Sequence, residues 1–67
     1  MNVMKLKGKI REKGLTQEML ARKINIDKST LSRRLNNGDT FTIGEADKIS
    51  CALELSEAEA IEIFLRK

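Results

Sequence analysis

Residues 15–38 constrain the fold of this chain more than any other segment, because they read as two short amphipathic helices joined by a tight turn. Apolar residues recur at helical spacing in both, at Leu20, Ala21, Ile24, Leu31 and Leu35. Such spacing places the apolar side chains of each helix on one face. The rest of the second helix is polar and basic, with Lys28, Ser29, Thr30, Ser32, Arg33 and Arg34. The segment therefore predicts two packed helices, the second with hydrogen-bonding side chains facing solvent.

Helix-capping residues divide the rest of the chain into further helices. There is no Pro and no alternating β-branched run, and the capping positions are Gly14, Thr16, Asp27, Gly38, Thr42 and Ser56. Thr42 with Glu45, and Ser56 with Glu59, have the spacing of capping boxes. The helices outside the central segment are predicted at residues 3–13, 43–53 and 57–65.

Apolar positions in the outer helices predict which faces are buried. They are Val3, Leu6 and Ile10 in the first helix; Ile43, Ala46, Ile49 and Leu53 in the fourth; and Ala58, Ile61 and Leu65, with Phe64 beside them, in the fifth. Phe41 is expected to pack inward, and Cys51 to be a small buried or half-buried core residue. The pattern predicts an all-α fold, a compact bundle of about five short helices forming one domain over residues 1–67.

Composition argues against several classes of protein. Cys51 is the single cysteine and there is no His, so neither a disulfide nor a His/Cys metal site is expected. General acid–base or nucleophilic catalysis has no suitable residues, so we expect no enzyme, no cofactor and no small-molecule ligand. No apolar run approaches the ~20 residues of a membrane span, and no secretory signal is evident. A reduced, cytoplasmic protein fits best.

The charge is distributed unevenly along the chain. Residues 1–37 contain ten Lys or Arg and three acidic residues, a net charge of +7, whereas residues 38–67 contain three basic and seven acidic residues, a net charge of −4. Such a molecule would turn its basic half toward a polyanion. The row of Lys5, Lys7 and Lys9 is expected to form a solvated face, from which one or two can approach phosphate. A polar, basic helix face of this kind suits the major groove of DNA.

Several motifs together resemble the phage Cro and repressor (XRE-type) family of helix-turn-helix proteins. They are Gly14-Leu15-Thr16-Gln17-Glu18, Leu20-Ala21, Lys23-Ile24, Ser29-Thr30-Leu31-Ser32-Arg33 and, downstream, Phe41-Thr42-x-x-Glu45. The resemblance covers nearly the whole chain. It implies a lambda-repressor-like five-helix bundle whose third helix enters the major groove. It also implies a phage or prophage protein acting in a bacterial host.

The resemblance implies two sets of DNA contacts. The residues implied to contact base edges are Lys28, Ser29, Ser32 and Arg33, and those implied to contact phosphates are Gln17, Thr30, Arg34, Asn36 and Asn37. Arg33, one turn after Ser29, suits a bidentate guanine contact worth ~1–3 kcal/mol of discrimination. Gln17 opens the second helix, where backbone amides favour anions. The alternatives are that Gln17 is only a solvated first-turn residue, that Lys28 is generic surface charge, and that Arg33 is a solvated surface arginine or pairs with Glu18.

The resemblance implies a helix-turn-helix core made of Leu20, Ala21, Ile24, Ile26, Leu31 and Leu35. Beside this core, the chain departs from the family pattern at two positions. Asn25 stands where the family usually has Gly, a mild departure because Asn tolerates the left-handed conformation. Arg34 stands where an apolar residue is usual. Either Leu35 supplies the core contact through a small rotation, or the end of the third helix is differently placed.

The function expected is that of a sequence-specific transcriptional regulator, a Cro-like repressor on double-stranded operator DNA. One recognition helix contacts too few base pairs to specify a single site in a genome, so a homodimer on a pseudo-palindromic operator is expected. This dimer is expected to be weak in the absence of DNA and to form mainly on it. Phe64 and Leu65 offer one contact surface. The alternative is a protein-interaction module, such as an antitoxin or antirepressor. An excised N-terminal domain of a longer repressor is less favoured, because the chain ends at Leu65-Arg66-Lys67 without a linker.

Overall fold

A computed structural model describes residues 1–37 and 41–65 of the chain. Within these residues the helices are α1, Val3–Glu12; α2, Gln17–Ile24; α3, Lys28–Asn37; α4, Ile43–Ala52; and α5, Glu57–Ala60. A π-helical turn, Ile61–Leu65, continues α5. The predicted all-α bundle is confirmed. None of the described helices is long and apolar enough to cross a membrane. Gly38, predicted to close the third helix, lies outside the described residues.

The starts of α2, α4 and α5 follow the capping chemistry of the sequence, whereas the Asp27 side chain, predicted to cap α3, forms no hydrogen bond with a described residue. The Thr16 hydroxyl accepts a hydrogen bond from the Met19 backbone N–H at 3.1 Å. Both predicted capping boxes form, at Thr42 with Glu45 and at Ser56 with Glu59. Because each box satisfies two otherwise unpaired amides, the start of α4 and the start of α5 are fixed by local sequence.

A single apolar cluster holds the described helices together. Its buried members are Leu6, Ile10, Leu20, Ala21, Ile24, Leu31, Leu35, Ile49, Leu53 and Ile63. They come from α1, α2, α3, α4, the residue after α4, and the π-helical turn. Every predicted core residue of the two central helices is among them, and Ile26 packs half-buried against the cluster. Phe41 packs against it as predicted.

Two expectations about α4 are wrong. Ile43, predicted on the buried face, is 91% exposed. It is the first residue of α4, and because helical Cβ atoms point toward the N-terminus, its side chain projects beyond the packed part of the helix. Cys51, predicted buried or half-buried, is exposed. It follows the buried Ile49 by two positions, which is about 200° around a helix of 3.6 residues per turn.

The buried face of the last helix also differs from the prediction. Ala58 is exposed, and Ile61 and Leu65 are 48% and 75% exposed. Ile63 is fully buried instead, and Phe64 is half-buried against the core. The reason is the π-helical turn, whose i→i+5 hydrogen bonds widen the helix and rotate the residues after Ala60 away from the 3.6-residue register. The inward position therefore shifts to Ile63.

Ion pairs join α1 to the acidic C-terminal half of the chain. Lys5 pairs with Glu62 at 2.8 Å, Lys9 pairs with Glu59, and Lys13 lies 3.7 Å from Glu54. The Asn2 backbone N–H also donates to the Ile63 carbonyl at 2.7 Å. The C-terminal segment is thus held along α1 by charge as well as by the core.

Alanine at Gly14 and alanine at Gly8 should change stability in opposite directions. Gly14 has a φ of +72° after the end of α1, whereas Gly8 lies within the helix, and nothing within 4 Å would clash with an added Cβ at either site. Gly14→Ala should cost about 1–2 kcal/mol, because the left-handed conformation is strained for alanine. Gly8→Ala should add about 1 kcal/mol through helix propensity. Urea unfolding checks both; equal effects would contradict the left-handed helix end.

Acid should weaken the contact between α1 and α5 through Glu59. The Lys9 ammonium, and then the Ser56 backbone N–H, lower the pKa of Glu59 from 4.5 to about 2. The carboxylate therefore stabilises the fold fully above pH 4.5, the value expected in the unfolded chain, and this stabilisation is lost as pH falls toward 2.

Urea unfolding between pH 6 and pH 2 tests this dependence. Glu59→Gln should flatten the curve over that window, whereas Glu57→Gln, a matched change in the same helical turn, should leave most of the slope. Identical curves for the wild-type chain and Glu59→Gln would contradict the assignment.

Candidate nucleic-acid interface

The turn between α2 and α3 fixes how these two helices pack. Asn25 adopts the left-handed conformation, with φ 60° and ψ 46°, as predicted for the position where the related family usually has Gly. The Ile26 backbone N–H donates to the Ala21 carbonyl at 3.0 Å, and the Asp27 carbonyl accepts from Leu31 at 3.0 Å. The chain therefore leaves α2 and begins α3 within three residues.

The two faces of α3 differ sharply. Leu31 and Leu35 are 0% and 2% exposed and pack into the core. The other side of the helix carries two adjacent rows of residues spaced four apart, Lys28, Ser32 and Asn36 in one row and Ser29, Arg33 and Asn37 in the other. All of these are exposed except Ser32, which is half-buried. This solvent-facing surface, called here the α3 outer face, brings together the predicted base contacts and two predicted phosphate contacts.

Arg33, the arginine of the α3 outer face, has no hydrogen-bond or ion-pair partner among the residues that the structure describes. The Asn36 amide donates to the Ser32 hydroxyl at 3.2 Å. Arg33 makes no ion pair with any residue in the described ranges, whereas Glu18 pairs with Arg22 at 3.4 Å. The alternative that Arg33 pairs with Glu18 is therefore not found. The Arg33 guanidinium remains able to donate to an external acceptor.

Arg34 occupies a different surface, at the junction of α3 and α4. Its guanidinium pairs with the Glu45 carboxylate and lies 5.6 Å from the centroid of the Phe41 ring. Phe41 in turn meets Phe64 edge-on, with the ring centroids 6.2 Å apart. Since Leu35 supplies the buried contact, the first alternative for the end of α3 is the one observed. Thr30, one turn before Arg34, is half-buried in the same row.

Glu45 links the start of α4 to Arg34. Its carboxylate accepts from the Thr42 backbone N–H at 2.9 Å and also pairs with Arg34. The Thr42 amide first, and Arg34 after it, hold the pKa of Glu45 below its ordinary value, against the opposing effect of burial. One carboxylate thus closes a capping box and anchors α3. The capping box is predictable from the sequence, whereas the pairing with Arg34 is not, because it joins residues eleven positions apart.

Gln17 lies at the start of α2, beside α1. It is half-buried and lines a shallow groove together with Lys7, Ile10, Arg11 and Leu15. Sequence reasoning did not single out Arg11. The signal that could have found it is its spacing of four from Lys7, which places both cations on one face of α1.

No cluster of His, Cys, Asp or Glu side chains that could hold a metal ion occurs among the residues with described positions. The groups brought together on the α3 outer face are amides, hydroxyls and cations. This set can donate hydrogen bonds to base edges and phosphates.

Comparison with protein families agrees with this geometry. A family model described as helix-turn-helix matches residues 6–59, a range that covers most of α1, all of α2, α3 and α4, and the start of α5. The chain belongs to the helix-turn-helix family, of the Cro/XRE type. No curated protein and no solved structure matches it.

Membership of this family assigns a role to each of the two central helices. In this helix-turn-helix protein α2 and α3 are the motif, and the protein is a DNA-binding regulator. In helix-turn-helix proteins the second motif helix lies in the major groove and the first crosses the phosphate backbone. The helix with the polar outer face is therefore the recognition helix.

Proposed function

We propose that this helix-turn-helix protein is a Cro-like repressor that binds a pseudo-palindromic operator as a homodimer in the cytoplasm of a bacterial host. Residues 1–67 act in this proposal as one DNA-binding domain, with a phage or prophage origin. Occupying the operator would block RNA polymerase or a competing repressor. The single observation that supports the proposal most is the α3 outer face, which is exposed and polar while the opposite side of the same helix is fully buried.

Within this proposal the residues of α2 and α3 fall into those that contact base edges, those that contact phosphates and one that has a structural role. Lys28, Ser29, Ser32 and Arg33 contact base edges, and Gln17, Asn36 and Asn37 contact phosphates. Thr30 lies at the edge of the α3 outer face and contacts phosphate there. Arg34, though predicted to contact phosphate, is held by Glu45 and Phe41, so we assign it instead to fixing the end of α3.

The proposed dimer has a candidate surface near the end of the chain. Phe41, Ile43, Phe64 and Leu65 line one apolar groove, and Ile43 and Leu65 are 91% and 75% exposed. Two large exposed apolar side chains beside a groove are typical of a surface that another protein covers. Two copies must present their recognition helices about 34 Å apart to contact successive major grooves.

Analytical ultracentrifugation, with and without operator DNA, tests the dimer. We expect two protomers on a full palindrome, and we expect Ile43→Glu with Leu65→Glu to reduce this to one. Met4→Glu is the matched control, because Met4 is 83% exposed but does not line the groove. Strictly 1:1 binding of the wild-type protein to a full palindrome would rule out the dimer.

The rival function is a protein-interaction module, such as an antitoxin or antirepressor. A surface that binds another protein should be less charged than the α3 outer face. Binding to duplex DNA that strengthens steeply as salt is lowered would support the repressor, because each neutralised phosphate releases counterions. Absent or salt-insensitive binding to any duplex would favour the rival.

A further inference from the structure

The lysines of α1 fall into two groups that the sequence does not separate. Lys5, Lys9 and Lys13, spaced four apart on one face, pair with the C-terminal acids Glu62, Glu59 and Glu54. Lys9 additionally pairs with Glu12 at 3.0 Å. Acids of the second half of the chain thus neutralise one face of α1, so the charge of +7 counted over residues 1–37 is not all presented to a partner.

The remaining cations of α1 lie on a different face. Lys7 and Arg11 are exposed, are spaced four apart, and form no ion pair with any residue in 1–37 or 41–65. Lys7 follows Lys5 by about 200° around the helix, at 3.6 residues per turn. Two positive charges without an acidic partner therefore sit together, away from the neutralised face.

These two cations adjoin the start of the helix-turn-helix motif. Lys7 and Arg11 line one groove with Gln17, and none of the acidic residues that the structure describes lines it. The first intrahelical hydrogen bond of α2 is donated by Leu20 to the Thr16 carbonyl at 3.0 Å, so the amides of Gln17 and Glu18 precede it. The groove thus combines two cations with the side-chain amide of Gln17 at the start of a helix, and these groups together suit a phosphate diester.

We propose that Lys7 and Arg11 extend the DNA interface onto α1, contacting the backbone phosphates beside the one bound by Gln17. This proposal rests on the DNA-binding function proposed above. In this proposal α1 contributes to the affinity for DNA and to its salt dependence. It does not contribute to discrimination between bases, because phosphate contacts carry no sequence information.

The test compares two double variants that each remove two unpaired surface cations. Lys7→Gln with Arg11→Gln should reduce the slope of log affinity against log salt by about 1.8 per bound protomer, at ~0.9 for each lost phosphate contact. Lys23→Gln with Lys48→Gln is the matched control. These lysines line a separate groove beside Cys51, and neither forms an ion pair with another described residue. The control should change the slope by less than half as much.

A second measurement locates the contact on the DNA. Replacing single phosphates by neutral methylphosphonates should weaken binding of the wild-type protein at the positions contacted by Lys7 and Arg11, and should have little further effect on the Lys7→Gln, Arg11→Gln protein. The bases preferred by that variant should match those of the wild type, and circular dichroism should show an unchanged melting temperature.

The outcomes separate the two proposals. A wild-type protein that binds duplex DNA, with an unchanged slope in the Lys7→Gln, Arg11→Gln variant or an equal change in the control, would overturn the α1 contact and leave the proposed function intact. A wild-type protein that binds no duplex would overturn both.

Discussion

Replacing Arg33 with alanine is expected to weaken operator binding by about 1–3 kcal/mol, roughly 5- to 150-fold, and to relax the preference for one base pair. The reason is geometric. Arg33 lies at the centre of the α3 outer face, one turn after Ser29, and its guanidinium pairs with no residue of the described ranges. A planar fork with free donors can bond both acceptors of a guanine in the major groove.

Selection of bound sites from random DNA, repeated with the variant, measures both effects. Arg22→Ala is the matched control, because the Arg22 side chain is 79% exposed on α2 and pairs only with Glu18 among the described residues. The control should keep the wild-type base preference. A loss of affinity for Arg33→Ala with unchanged preference at every position would mean that Arg33 contacts phosphate instead.

Replacing Leu35 with alanine is expected to cost about 2–5 kcal/mol of folding free energy, because the side chain is only 2% exposed within the core. A chain of this length has a total stability on the order of 3–10 kcal/mol, so the variant should lose a large share of its stability and melt at a clearly lower temperature. Arg34→Ala should cost less, about 0.5–2 kcal/mol, since it removes a partly buried ion pair and a contact with the Phe41 ring.

Urea unfolding of both variants tests the observed register of α3. Met4→Ala is the control for loss of an apolar side chain at an exposed position, because Met4 is 83% exposed, and it should change stability by less than about 0.5 kcal/mol. A larger cost for Arg34→Ala than for Leu35→Ala would show that the end of α3 is rotated relative to the described structure.

Features set by nearby residues could be predicted from the sequence. The capping boxes at Thr42 and Ser56, the left-handed Asn25 and the start of α2 at Gln17 each depend on contacts within about four residues. The buried residues of α2 and α3 also follow from helical spacing, because both helices keep a regular 3.6-residue period. Local chemistry and periodicity were sufficient in these segments.

Features set by the ends and irregularities of helices could not be predicted in the same way. Ile43 fits the apolar period of α4 but lies at its exposed first position. The period fails after Ala60, because a π-helical turn makes Ile63 the buried residue. Nothing in the local sequence distinguishes that turn from an ordinary continuation of the helix.

The candidate site was predictable in its members but not in its pairings. Lys28, Ser29 and Arg33 are exposed on the α3 outer face, as helical spacing predicts. The role of Arg34 depends on Glu45, which lies in the next helix, and periodicity carries no information on such a contact. The sequence likewise gives only the net charge of residues 1–37, whereas the structure separates the lysines of α1 that pair with acidic residues from Lys7 and Arg11.

The central claim is that each protomer of a homodimer contacts specific bases through its α3 outer face. Selection of sequences from random duplex DNA by the wild-type protein tests this claim most directly. We predict enrichment of one short motif in two inverted copies, with centres about 10–10.5 base pairs apart. A pool with no enriched sequence after repeated rounds, at salt low enough to retain DNA, would contradict the account.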